Sequence, residues 1–334
     1  MTGLDALNKK TKTLTVAFIG GSITEGTDRA TKGCYYVDIV GDYFKKYYIE
    51  QDVTIINAGW GGTGSEFGLF RLCEDVIKYN PDMVFVEFAA NDILKTPYET
   101  KLYMENIVTN LMSMEKTPVI NFIYTTDDKY NQMSEVHEEI ASHYGIPSIN
   151  IMEYVKSEVM CGRIQFTDIF GDHIHPNDVG YKLYSDFIIS CIFNNTEKYF
   201  KLPDKTVPRL IPREIENPTF DFPSADMVTG NFSLRKKVNC HLPAAFALSK
   251  GSILSYEFYG DYIGIVCEDM YTEGAVECII DGQSCGLIRP VPYSPSYINP
   301  TLSRSQHKLE LISISDKPFC IAAFMINHEI NKED

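Results

Sequence analysis

Five short runs, nearly all apolar, recur through the first part of the chain: "LTVAFIG" (14–20), "DVTIINAG" (52–59), "DMVFVEFA" (82–89), "TPVINFIYT" (117–125) and "IPSINI" (146–151). A strand that is apolar on both sides must be covered on both sides, so these runs predict a parallel sheet held between two layers of helices. The stretches between them carry the helical period. "GLFRLCEDVIKYN" sets Leu69, Leu72, Val76 and Ile77 on one side, and "LYMENIVTNLMSM" does the same with Leu102, Ile107, Leu111 and Met114. "NQMSEVHEEIASHYG" stops at Gly145, and Asn177 is placed to cap "NDVGYKLYSDFIISCIF". Strand and helix in alternation predict a three-layer α/β sandwich over residues 1–195.

The character then changes. Residues 196–218 include four prolines and read as a linker or a strap across the surface. From 219 to 334 the helical period is gone, and apolar and polar residues alternate between Gly-Asp and Asp-Gly turns. "IIDGQSCGLI" reads as a hairpin. A small antiparallel β-sandwich of jelly-roll type is expected there.

The net charge of −15 argues against a partner recognised through its phosphates, whether nucleic acid or an anionic membrane. No apolar run is long enough to span a bilayer. Nine cysteines without a C-x-x-C pair are neither a disulfide framework nor a zinc site, and fit a reducing compartment. The opening "MTGLDALNKKTKTLTVAFIGG" lacks the apolar core and cleavage site of a signal peptide, so a cytoplasmic protein is expected.

In open α/β sheets ligands bind beyond the carboxyl ends of the strands, and four such tips carry chemistry here. The first is "GGSITEG", where Ser22 follows two glycines at the start of a helix. The second, "NAGWGGTGSE", exposes the backbone amides of Gly59, Gly61, Gly62 and Gly64 as donors to a developing oxyanion. The third, "AANDI", offers the Asn91 carboxamide, a donor without charge. The fourth, "GDHIHPNDVG", sets Asp172 three residues before His175. It reads as a metal site, an acid–histidine pair or a polar turn. An aspartate at that remove curls back to hold the histidine's Nδ1–H, leaving Nε2 to face a serine. No acidic or cysteine cluster adjoins to complete a coordination shell, so no metal and no cofactor is expected.

Taken in order, these blocks resemble those of the SGNH, or GDSL-like, hydrolases. The nucleophile block stands as Gly20-Gly21-Ser22, with Gly21 in place of the usual aspartate. The glycine block stands as Asn57-Ala58-Gly59-Trp60-Gly61-Gly62, which puts the oxyanion glycine at Gly62, with Gly61 as rival. The third stands as Ala89-Ala90-Asn91-Asp92, with Ala89 for the usual glycine, and the last as Asp172-His173-Ile174-His175. The resemblance implies a flavodoxin-like sheet and a serine esterase. Its triad is Ser22, His175 and Asp172, and its oxyanion hole Ser22, Gly62 and Asn91. The ester is of a small acyl group, commonly acetyl on carbohydrate.

Trp60 and Gly61 are candidate substrate contacts, Trp60 either stacking on a sugar or filling a gap between helix and sheet. His137 and His143 are expected on a helix surface, and Thr125–Asp128 in a solvated loop. Two other readings stand beside the esterase. One is an acyltransferase in which a sugar hydroxyl replaces water; the other is a glycan-binding protein on an idle scaffold. The β region is expected to shape the cleft, bind sugar or join copies of the chain into a homo-oligomer.

Overall fold

The computed structural model describes residues 13–130, 132–236, 242, 244–267, 273–289, 296–298 and 302–327, in two compact units, 1–214 and 215–334. The first unit is built on β1 (Thr13–Gly20), β2 (Asp52–Gly59), β3 (Met83–Glu87), β4 (Val119–Tyr124) and β5 (Ser148–Asn150). They lie parallel in the order β2-β1-β3-β4-β5, the flavodoxin-like arrangement. Each strand of this sheet coincides, within a residue or two at the ends, with one of the five apolar runs.

Nine helices accompany the sheet among the described residues: α1 (Ser22–Glu25), α2 (Tyr36–Tyr47), α3 (Ser65–Asp75), α4 (Pro97–Ser113), α5 (Ser134–Tyr144), α6 (Ile151–Met160), α7 (Phe166–Ile169), α8 (Asp178–Asn194) and α9 (Thr196–Tyr199). On one face Val37, Val40 and Phe44 of α2 join Tyr181, Tyr184 and Ile188 of α8 over Phe18 and Phe85, whose rings stack at 4.7 Å. On the other, α4 packs between α3 and α5. Asn177 caps α8 through Gly180 N–H at 3.0 Å, and Gly145 closes α5 in the left-handed conformation, φ +62°.

The proline-rich segment is a strap rather than a free linker, and through residue 214 it belongs to the first unit. Fully buried Glu105 on α4 accepts from the amides of Leu210 and Ile211 at 2.6 and 2.7 Å and from the Tyr144 hydroxyl at 2.7 Å. Arg209 binds Asn106 and Thr109 on the same helix.

The second unit holds β6 (Pro218–Asp221), β7 (Val228–Thr229), β8 (Phe232–Lys236), β9 (Ala244–Leu248), β10 (Ile253–Gly260), β11 (Ile263–Cys267), β12 (Val276–Ile280), β13 (Gln283–Ile288), β14 (Ser296–Ile298), β15 (Ser305–Ser313) and β16 (Phe319–Asn327). They form two antiparallel sheets, β13-β12-β15-β10-β7 and β14-β11-β16-β9-β8, with β6 on the end of β16. From β10 onward the chain passes repeatedly between the two sheets, whose inner faces share one core around Leu254, Tyr256, Leu311, Ile321 and Phe324. The β12–β13 hairpin turns at Asp281 and Gly282, both at positive φ, as its Asp-Gly pair predicts. Asp281 also accepts from buried His307 Nδ1 at 2.6 Å, while His307 Nε2 donates to the Ser303 carbonyl at 2.7 Å. Two donated bonds require a protonated imidazole. His241 and His328 lie outside the described residues.

Candidate active site

The carboxyl ends of β1, β2 and β3 and the loop before α8 supply the side chains. Ser22 opens α1 directly after β1, partly exposed. Its Oγ lies 2.9 Å from His175 Nε2, and His175 Nδ1 lies 2.9 Å from Asp172 Oδ2. The other Asp172 oxygen accepts the backbone amides of Ile174 and His175, at 2.9 and 2.8 Å. These bonds curl the loop so that the imidazole stands over its own carboxylate. Partial burial pushes the Asp172 carboxyl up. Donation from His175, Ile174 and Arg29 outweighs that and holds it far below the usual carboxylate range.

Arg29 was not foreseen from the sequence. Its Nε donates at 3.0 Å to the same Asp172 oxygen that receives His175. His173 points its side chain to solvent, and its carbonyl accepts the Asp128 amide at 2.8 Å. It is a spacer in the loop.

The glycine loop packs on the nucleophile turn. Gly62 adopts φ +75°, a conformation other residues rarely take. The Gly61 amide is not open to a substrate, because it donates to Glu25 Oε2 at 2.6 Å. Trp60 leaves 7% of its surface exposed, edge-on to Phe67 with the Arg71 guanidinium 5.9 Å from its ring centre. Little of the ring is open at the surface. Arg71 itself is buried and ties two strand ends together, donating to the Gly20 and Ala58 carbonyls at 2.9 and 2.6 Å.

Asn91 follows β3 and lies against Gly21. A Cβ built on Gly21 would sit 2.2 Å from Asn91 Oδ1, so a residue with no side chain is what lets the carboxamide lie against the residue before the serine. Beside it, Asp92 is buried and joins three elements. It accepts from Ser65 N–H at 2.9 Å, pairs with His137 Nε2 at 3.0 Å, and sits in its own chain next to Asn91. His137 is therefore interior, contrary to the expected surface position, because its partner lies 45 residues away. The Thr125–Asp128 loop is likewise only half solvated: Thr125 and Thr126 are buried, and Thr125 donates to Glu87 at 2.6 Å.

A partly exposed hydroxyl on an imidazole, the imidazole on a carboxylate, and a neutral carboxamide against the glycine before the hydroxyl are the parts of acyl transfer. Residues 18–183 match the GDSL-like Lipase/Acylhydrolase family, and this part of the chain belongs to it. The class so defined is that of the carboxylic ester hydrolases. Among solved structures, the chain is similar to a two-domain esterase (CEX) active on acetylated mannans, at 23% identity and a TM-score of 0.85. The likeness covers 98% of this chain and 95% of that one, and shows a common fold across both units. The same esterase co-crystallised with mannopentaose matches at 24% identity and a TM-score of 0.84, over 98% of this chain and 96% of that one. A lipase/acylhydrolase from Enterococcus faecalis is similar over 55% of this chain and 96% of its own, at 26% identity and a TM-score of 0.45. No curated protein matches the sequence.

Proposed function

We propose that the protein is a serine esterase that removes small acyl groups, acetyl foremost, from carbohydrate, through a covalent acyl-enzyme. The observation that carries this reading is the unbroken relay from Ser22 Oγ through His175 to Asp172, with 2.9 Å at each step. His175 Nε2 takes the serine proton as Oγ attacks the ester carbonyl. Asp172 keeps the imidazole in the tautomer with Nδ1–H and offsets its transient positive charge. The Ser22 and Gly62 amides and the Asn91 carboxamide receive the oxyanion. His175 then gives its proton to the leaving sugar oxygen, and later activates the water that frees the acid. The partial exposure of both Ser22 and His175 favours water as the second nucleophile.

The sugar in this proposal is supported by the CEX esterase, whose fold the whole chain shares and which acts on acetylated mannans. The acyl size follows from the family's esterase chemistry together with the absence of a long apolar lid among the described residues. Ser22→Ala is expected to abolish turnover of 4-nitrophenyl acetate and of acetylated manno-oligosaccharide, and to stop labelling by a fluorophosphonate. Retention of parental turnover by that variant would remove Ser22 from the mechanism. An acyl series from acetyl to octanoyl, with product analysis in the presence of a free sugar acceptor, tests the substrate. Octanoyl preference or net transfer to the sugar would overturn that part.

A further inference from the structure

Beneath the nucleophile turn lies a carboxylate that the relay does not use. Glu87 ends β3 with no exposed surface. Its Oε2 accepts the Thr24 hydroxyl at 2.8 Å, its Oε1 the Thr125 hydroxyl at 2.6 Å, and the Gly21 amide also donates to it. Thr24 Oγ1 in turn lies 2.8 Å from the Tyr36 hydroxyl. Since the Thr24 proton goes to Glu87, Tyr36 donates to Thr24. The carboxylate thus grips the residue before Ser22 and the residue two after it, and fastens both to the tip of β4.

We propose that Glu87 is a positioning residue for Ser22, holding the nucleophile turn from below in its ionised form. This rests on Ser22 being the nucleophile.

A buried carboxylate held only by neutral donors is a costly way to fill space; a methionine or glutamine of similar volume avoids the desolvation. What it supplies is acceptors alone, two oxygens matched to three converging donors. Burial raises its pKa to about 7, against the pull of Thr125, Thr24 and Gly21, with the Asp92 charge adding to the rise. The other titratable groups facing it are the phenols of Tyr36, Tyr181 and Tyr184, all pushed up by burial and neutral throughout. On protonation one Glu87 oxygen becomes a donor. The hydroxyl facing it must then turn its own proton away and accept, so one of the bonds that hold the turn is reversed. Catalysis therefore carries an acid dependence that belongs to Glu87.

The test compares the parent, E87Q and T125V on an acetyl ester from pH 5 to 9, with the rate of fluorophosphonate labelling measured alongside. For E87Q, kcat at pH 8 is expected to fall about 10- to 100-fold, with KM within twofold and labelling slowed in step, as for a nucleophile displaced by a fraction of an ångström. The acid limb of the parent is expected to include a protonation that is missing from that of E87Q. T125V removes a bond that keeps Glu87 acidic, so that step is expected to move to higher pH. Parental kcat and pH profile in E87Q overturn the proposal, as does an unmoved step in T125V, which decides the matter alone if E87Q does not fold. Failure of the nucleophile assignment shows differently, as turnover surviving Ser22→Ala.

Discussion

Asn91 is the residue whose contribution separates most cleanly from folding. It is partly exposed, it caps nothing through its side chain, and its carboxamide lies against Gly21, the residue before the serine. Asn91→Ala is expected to lower kcat about 10²- to 10³-fold with little change in melting temperature, measured on 4-nitrophenyl acetate and by calorimetry. Asp172→Asn is expected to cost more, about 10⁴-fold, because an amide at that position favours the wrong imidazole tautomer. Both residues were legible before the structure, Asn91 by its place after a strand run and Asp172 by its spacing from the histidine three residues on. Arg29 was not: its target lies 143 residues away, and nothing local marks an arginine in a loop as bound. Glu87 left a faint signal, a lone acid inside the apolar run "DMVFVEFA". Such a residue needs partners, and the sequence does not say which.

Elements read well where periodicity dominated. The five central strands came from their apolar runs and α3, α4, α5 and α8 from the helical period, while α2 and α6 were not read. The proline-rich segment left linker and strap both open because composition reports stiffness, not attachment. What attaches it is Glu105, inside a helix whose pattern shows only an acid among apolar residues. Glu105→Ala strands a part-buried amide, a buried amide and a buried phenol without an acceptor, so a loss of about 3–5 kcal/mol is expected, read by urea denaturation. Glu105→Gln keeps one acceptor and should lose about 1–2 kcal/mol. Equal stability in all three proteins would mean the strap is held by its apolar contacts instead. The histidine on α5 was misplaced for a related reason. A polar residue on the inner face of an amphipathic helix is invisible until its carboxylate, Asp92, is brought to it.

For the whole molecule, stability and activity pull in opposite directions with pH. Glu87, raised from 4.5 to about 7, binds its proton more tightly in the folded state. Its contribution to stability is full below about 4.5 and is lost as pH rises through 7. His307 is pulled down by burial but raised more by Asp281 and the Ser303 carbonyl. Its contribution is full below 6.5 and is lost as pH rises past its raised value. Asp172 works in the other sense, but only in strong acid, below 3.8. The charge of −15 adds self-repulsion toward alkaline pH. Melting temperatures are therefore expected to be higher at pH 5.5 than at pH 8, where an ionised Glu87 holds the nucleophile turn. E87Q should flatten the trend in the first unit and H307Q in the second; a melting temperature that rises toward pH 8 would contradict this.

Gly21 and Asn91 form an epistatic pair. The amide of one occupies the volume that any side chain at the other would claim, so a change tolerated at either position depends on the state of its partner. Grafting a Gly-Asp-Ser turn from a relative into this chain would therefore require the asparagine, 70 residues away in sequence, to shift its carboxamide.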